Sequence, residues 1–200
     1  MNDKPLHQQP HRPEFWDHRF AAKVTPWDAG GVPLELADYA TSLTTAARVL
    51  VPGCGSAYEA GYLAAHGAQV TALDFSAAAI AAAAETLGKW TGTLRQDDFF
   101  TFEAAEPFDA IYERAFLCAL PRRLWPDYAP RMASLLRPGG ELAGFFFFAD
   151  DPKGPPFGIA AAELDALLAP WFERVADHPA RQSIPAFAGR ERWQRWRRRP

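Results

Sequence analysis

Three groups of residues in this chain carry chemistry, and each falls where a short apolar run ends. The stretch Arg48-Val-Leu-Val-Pro-Gly-Cys-Gly-Ser-Ala-Tyr-Glu-Ala60 brings the first run to Gly53 and Gly55, with Cys54 between them. Glycine takes positive φ without strain and lets backbone amides approach a ligand, so the stretch reads as a ligand-binding turn. The third glycine of a dinucleotide fingerprint is missing, because Tyr58 occupies its place. That disfavours the close helix–strand approach made around a pyrophosphate. Asp74, followed by Phe75, ends a second run 21 residues after Gly53, near the spacing at which an acid bonds ribose hydroxyls. Asp98 and Phe99, within Asp97-Asp-Phe-Phe100, follow a third run. A carboxylate there can accept from an adenine amino group, and an aromatic beside it can stack on the ring. Each group alone has a plainer reading: a tight turn with a buried free cysteine, or an acidic loop over two core phenylalanines. Together, in order at successive strand ends, they point to a nucleoside ligand with no phosphate at the turn.

The elements that must position these residues alternate. Apolar runs predict strands at 48–51, 69–73, 93–96, 108–112, 141–148, 172–178 and 191–197. Helical patterns lie at 34–43, 57–66, 76–87, 122–136 and 160–168. Gly67 and Gly88 sit where C-terminal caps are expected, and Ser76 where an N-cap is. Pro138-Gly-Gly140 reads as a turn before a strand. Strands alternating with helices predict a mainly parallel sheet covered on both faces. The last two strands are joined by Pro/Gly-rich residues without a crossover helix, so they are expected to be antiparallel. That layout is associated with methyltransferases that use S-adenosylmethionine (SAM) and departs from the all-parallel dinucleotide-binding one.

Composition bounds the function. The 200 residues suit one domain, 48% hydrophobic and 22% charged, with net charge −3. Nothing overall marks a nucleic-acid binder. Two cysteines, no CxxC and scattered histidines argue against a disulfide scaffold and a metal site. No apolar leader opens the sequence, and Gly144-Phe-Phe-Phe-Phe148 is too short to span a bilayer, so a cytoplasmic, membrane-independent protein is expected. Residues 1–13 are expected to form a flexible arm and 14–45 an aromatic lid segment of a single domain, 1–200. The basic tail Arg190-Glu-Arg-Trp-Gln-Arg-Trp-Arg-Arg-Arg199 is either a contact for an anionic surface or an edge strand. In the edge-strand reading its aromatics face the core and its arginines face water. The uneven spacing of Trp193 and Trp196 suggests a bulge or a strand end.

Several of these stretches, with others, form a set: FWDHRF (15–20), TPWDAGGVP (25–33), RVLVPGCGSAYEA (48–60), VTALDFSAAAI (70–80), QDDFF (96–100), FDAIYERAFLCAL (108–120), LLRPGGEL (135–142) and GPPFGI (154–159). The set resembles the thiopurine S-methyltransferase family in its broad sense, which includes plant halide and thiol methyltransferases and bacterial relatives. The resemblance implies a Rossmann-like α/β fold of class I SAM-dependent methyltransferases, a seven-stranded, mostly parallel sheet with an antiparallel last strand. It implies SAM as cofactor and a thiol, thiopurine-like or halide acceptor. Trp16 and Trp27 would line the SAM pocket, and Gly53, Cys54 and Gly55 would hold the methionine part. Asp74 would bond the ribose, Phe75 would belong to the cofactor site beside it, and Asp98 and Phe99 would contact the adenine. Arg114 falls where thiopurine enzymes carry an active-site arginine; a surface ion pair with Glu113 is the plainer reading. Phe20 stands where several relatives place tryptophan, and the motifs mix features of the thiopurine and halide/thiol branches. The expected partner is a small-molecule acceptor, and the expected state a monomer. The competing readings are an NAD-dependent oxidoreductase and a non-catalytic SAM-binding protein.

Overall fold

The computed structural model describes residues 5–151 and 153–200. Seven strands make one sheet: β1 (Arg48–Pro52), β2 (Gln69–Asp74), β3 (Thr93–Gln96), β4 (Phe108–Arg114), β5 (Leu136–Phe147), β6 (Phe172–Pro179) and β7 (Glu191–Arg198). Their spatial order is β3-β2-β1-β4-β5-β7-β6. β1 to β5 pair in parallel, and β7 runs antiparallel to both its neighbours. Among the described residues six α-helices accompany them: α1 (Pro13–Ala21), α2 (Leu34–Ser42), α3 (Tyr58–Ala65), α4 (Ala77–Leu87), α5 (Trp125–Leu135) and α6 (Ala161–Leu168).

The unbroken apolar run of β1 follows from burial on both faces. Val49 and Val51 join Leu36 and Tyr39 of α2 and Ala60 and Leu63 of α3 on one side. Leu50 joins Tyr128 and Met132 of α5 and Leu164 and Leu168 of α6 on the other. Burying a side chain of that size contributes about 1.5–3 kcal/mol.

Element boundaries follow local chemistry. Ser76 caps α4 by accepting the Ala79 N–H at 3.0 Å. The stretch 122–136 divides into a 3-10 turn, Arg122–Leu124, and α5. Pro138-Gly-Gly140 interrupts β5 from within. The register jumps from Phe108 opposite Leu136 to Ala110 opposite Glu141, so the strand begins earlier than its apolar run. Of the arm expected at 1–13, residues 1–4 lie outside the described residues. Leu6–Gln8 form a 3-10 turn, and the nearby Pro10 carbonyl accepts the Trp16 indole N–H at 2.8 Å.

One expectation is overturned. The basic C-terminal stretch is not an edge strand: β7 lies between β5 and β6, and β6 is the edge. Trp193 packs on the α2/α3 face and Trp196 on the α5/α6 face, so both sides of the strand are covered. Three-residue spacing places the two indoles on opposite faces with no bulge in β7 against β5. The irregularity lies on β6, between Arg174 and Ala176. The arginines pair with the acids beside them, Arg195 and Arg197 with Glu141 and Arg192 with Asp177.

Candidate cofactor and acceptor site

A cleft of about 290 Å³ opens beyond the carboxyl ends of the strands, where open α/β sheets bind ligands. Trp16, Trp27, Gly53, Cys54, Gly55, Asp74, Phe75, Asp98, Phe99 and Arg114 all line it.

Its floor is the turn between β1 and α3. Gly53 and Gly55 have φ of 57° and 51°. A Cβ on Gly53 would stand 2.5 Å from the Phe116 ring, so glycine is required there twice over. Asp74 fastens the turn to β2: its carboxylate accepts the Gly55 N–H at 3.2 Å and the Ser76 N–H at 3.0 Å. Burial pushes its pKa up to about 6, against the pull of those two N–H groups. Asp98 accepts the Phe100 N–H at 2.9 Å. Phe99 is only 3% exposed and packs edge-on to Phe116 at 5.0 Å, so it belongs to the core as well as to the cleft wall.

The N-terminal segment forms the opposite wall. Trp16 and Trp27 meet edge-to-face at 5.4 Å, and Phe20 stands 6.1 Å from Trp27. Three aromatic rings lining one side of the cleft suit a cation. Phe20 sits 3.6 Å from where a Gly55 side chain would begin, so it fills this corner of the cleft. Two carboxylates tie the wall down. Asp17 of α1 accepts from the Ser76 hydroxyl at 2.6 Å and from the Ala78 N–H at 3.0 Å. Asp28 accepts from the Ser56 hydroxyl at 2.5 Å and the Gly30 N–H at 2.8 Å. His18 is exposed, 5.5 Å from the His7 ring; His11 is the histidine on the cleft.

Arg114 makes no surface pair with Glu113. Its side chain is 7% exposed, pairs with Glu191 of β7 at 3.6 Å and lies 4.8 Å from the centre of the Phe145 ring. Glu113 points to the other face of β4. There it accepts the Phe116 N–H at 3.0 Å and the Tyr128 hydroxyl at 3.3 Å, and burial pushes its pKa up to about 7. Cys54 and Cys118 are free, buried and on the cleft. Burial pushes both thiols well up, and a protonated thiol is a poor nucleophile.

The lining fits SAM. The glycine turn leaves room for an amino-acid tail to lie against the backbone, Asp74 can accept from ribose, and the aromatic wall suits a sulfonium. The profile of the thiopurine S-methyltransferase family matches residues 11–199. The chain belongs to that family. It is 32% identical over 190 residues to a probable thiol methyltransferase 2 of Arabidopsis thaliana, covering 92% of this chain and 84% of the relative. It is 33% identical over 190 residues to thiocyanate methyltransferase 1 of Brassica oleracea, with the same coverage. To the thiopurine S-methyltransferase of Pseudomonas fluorescens it is 30% identical over 182 residues, covering 78% and 81%. Among solved structures, the magnesium protoporphyrin IX methyltransferase of Synechocystis with bound SAM superposes with a TM-score of 0.74. It is 16% identical and covers 99% of this chain and 100% of that one. That likeness shows the class I fold. As a family member the chain is a SAM-dependent methyltransferase, and the NAD-dependent and non-catalytic readings are set aside.

Sequence reading missed the carboxylates that tie the cleft together, Asp17 and Asp28, and the cleft-lining Glu59, Phe116 and Cys118. All lie inside the family motifs, so their presence there was the available signal. Their partners were not visible, because Asp17 and Ser76 are 59 residues apart.

Proposed function

We propose that this family member methylates small soft nucleophiles, thiols first, with thiocyanate-like and halide anions as further acceptors. Bound SAM supplies a methyl group on a cationic sulfur. The residues of the chain hold the acceptor in line with it at roughly 3–3.5 Å, exclude water and balance charge. The observation that carries this reading is the juxtaposition, in one cleft, of the aromatic wall and the Arg114 guanidinium. The aromatics suit a sulfonium, and the guanidinium favours a thiolate or another anion. Cys118, Phe187, Pro155 and Pro156 complete an apolar surround on the Arg114 side that strips water from a soft anion. The N-terminal segment acts as a lid, and the enzyme works as a cytoplasmic monomer with no nucleic-acid partner.

The test is calorimetry with S-adenosylhomocysteine and NAD, followed by labelled-SAM turnover on a panel of alkanethiol, aryl thiol, thiopurine, thiocyanate and iodide. Micromolar S-adenosylhomocysteine affinity with thiol turnover is expected; binding without turnover of any acceptor overturns the acceptor class. Arg114→Lys should raise acceptor KM about tenfold, a loss of roughly 1.4 kcal/mol, while cofactor affinity stays nearly intact. An equal fall in cofactor affinity would remove Arg114 from the acceptor side. Lysine is the informative change because leucine would leave Glu191 buried and unpaired.

A further inference from the structure

Five carboxylates line the cleft: Asp28, Glu59, Asp74, Asp97 and Asp98. Four are committed to donors within the protein. Asp28 holds Ser56 and Gly30, Asp74 holds Gly55 and Ser76, Asp97 pairs with Arg95, and Asp98 holds Phe100. Among the described residues Glu59, in the first turn of α3, has only its own amide N–H and the Tyr112 hydroxyl as neighbouring donors and no ion pair in contact. The Tyr112 hydroxyl beside it makes no well-formed hydrogen bond, nor does Nε of Arg114, whose ion pair with Glu191 spans 3.6 Å. A lightly held carboxylate and a guanidinium with no well-formed hydrogen bond from Nε, close enough to interact, therefore both line the cleft.

Methylating a thiol releases a proton, and a thiol of ordinary acidity is only a few per cent thiolate at pH 7. We propose that Glu59 is the general base for thiol acceptors, taking the S–H proton while Arg114 stabilises the thiolate. The freed sulfur lone pair forms the new S–CH3 bond. The bond from the methyl carbon to the donor sulfur breaks, and its electron pair stays on that sulfur. The proton leaves Glu59 for water once the product has gone. Anions such as thiocyanate and iodide carry no proton and need no base, so the same cleft serves them without Glu59. The inference rests on the acceptor class proposed above.

The electrostatics suit the task. Burial raises the Glu59 pKa above the ordinary carboxylate value and Asp28 adds to the rise, while its own amide N–H, Arg114 and Tyr112 pull it back. A base whose pKa moves toward neutrality takes a thiol proton more readily, and such catalysis is worth about 10²–10⁴-fold.

The deciding experiment measures kcat/KM of wild type, Glu59→Gln and Glu59→Asp with an alkanethiol, thiocyanate and iodide across the neutral pH range. S-adenosylhomocysteine affinity is measured alongside by calorimetry. Glu59→Gln should lose roughly 100-fold with the thiol near pH 7, and the deficit should shrink as the thiol ionises by itself. Thiocyanate and iodide turnover and S-adenosylhomocysteine affinity should hold. Glu59→Asp should recover part of the thiol rate and its pH dependence. Equal losses with thiol and iodide overturn the proposal, as does a fall in S-adenosylhomocysteine affinity, which would assign Glu59 to the cofactor's tail or to the fold. If wild type turns over none of the three while still binding S-adenosylhomocysteine, the acceptor class itself has failed and Glu59 has no proton to take.

Discussion

Burying Asp74 weakens the cofactor-free protein while it builds the site. Its folded pKa of about 6 stands above the ordinary carboxyl value of 3.8, so between those values the folded chain holds a proton that the unfolded chain has lost. The contribution of Asp74 to stability is therefore largest below pH 4, falls as pH rises from about 4 to 6, and stays lower above that by about 3 kcal/mol. Asp74→Asn keeps an oxygen acceptor without the charge. Its melting temperature, measured by calorimetry without ligand, should gain on wild type as pH rises from about 4 to 6 and then hold that gain, although its cofactor affinity falls. A constant gap would show that the carboxyl is not perturbed. Asp74 was readable in sequence because its task is tied to the end of its own strand, one turn away from Gly55. Glu59 and Asp28 were not, because what distinguishes them is which partners they have or lack in space.

At the scale of elements, the decisive contact is between α1 and the start of α4. Asp17 reaches across to the Ser76 hydroxyl and the Ala78 N–H, acting as a second cap supplied by another helix. Capping bonds of this kind are worth about 0.5–2 kcal/mol. Asp17→Ala should cost that much in urea denaturation. It should also weaken S-adenosylhomocysteine binding and speed hydrogen exchange in α1, since α1 carries Trp16 and Phe20 to the cleft. If binding is unchanged, the cofactor site does not depend on this contact. The helices and strands themselves were largely legible, because apolar runs and caps are local signals. The interrupted start of β5 was not: Pro138-Gly-Gly140 looks like an ending, and only pairing with Phe108 extends the strand back to Leu136.

At the scale of the molecule, sequence order and spatial order part company at β7. Alternation and the missing crossover helix foretold a mixed sheet but not that the later strand would slot inside the earlier one. Trp193 and Trp196, one on each face, were the available clue. Each is nearly fully buried, so Trp193→Ala and Trp196→Ala should each cost about 3–5 kcal/mol in urea denaturation. Because the sheet separates them, the double variant should be additive to within about 0.5 kcal/mol. A strand with one face in water would have made one of the two changes cheap. The same arrangement imposes an order on folding. Until Glu191–Arg198 has been made and placed, β5 offers Gly144-Phe-Phe-Phe-Phe148 along an unpaired edge and β6 has no strand to join. Such a segment is what promotes clumping in half-folded chains. The arginines of β7 thus lie in the strand that closes this sticky edge, and recovery from denaturant should depend on chain concentration far more than the melting temperature does.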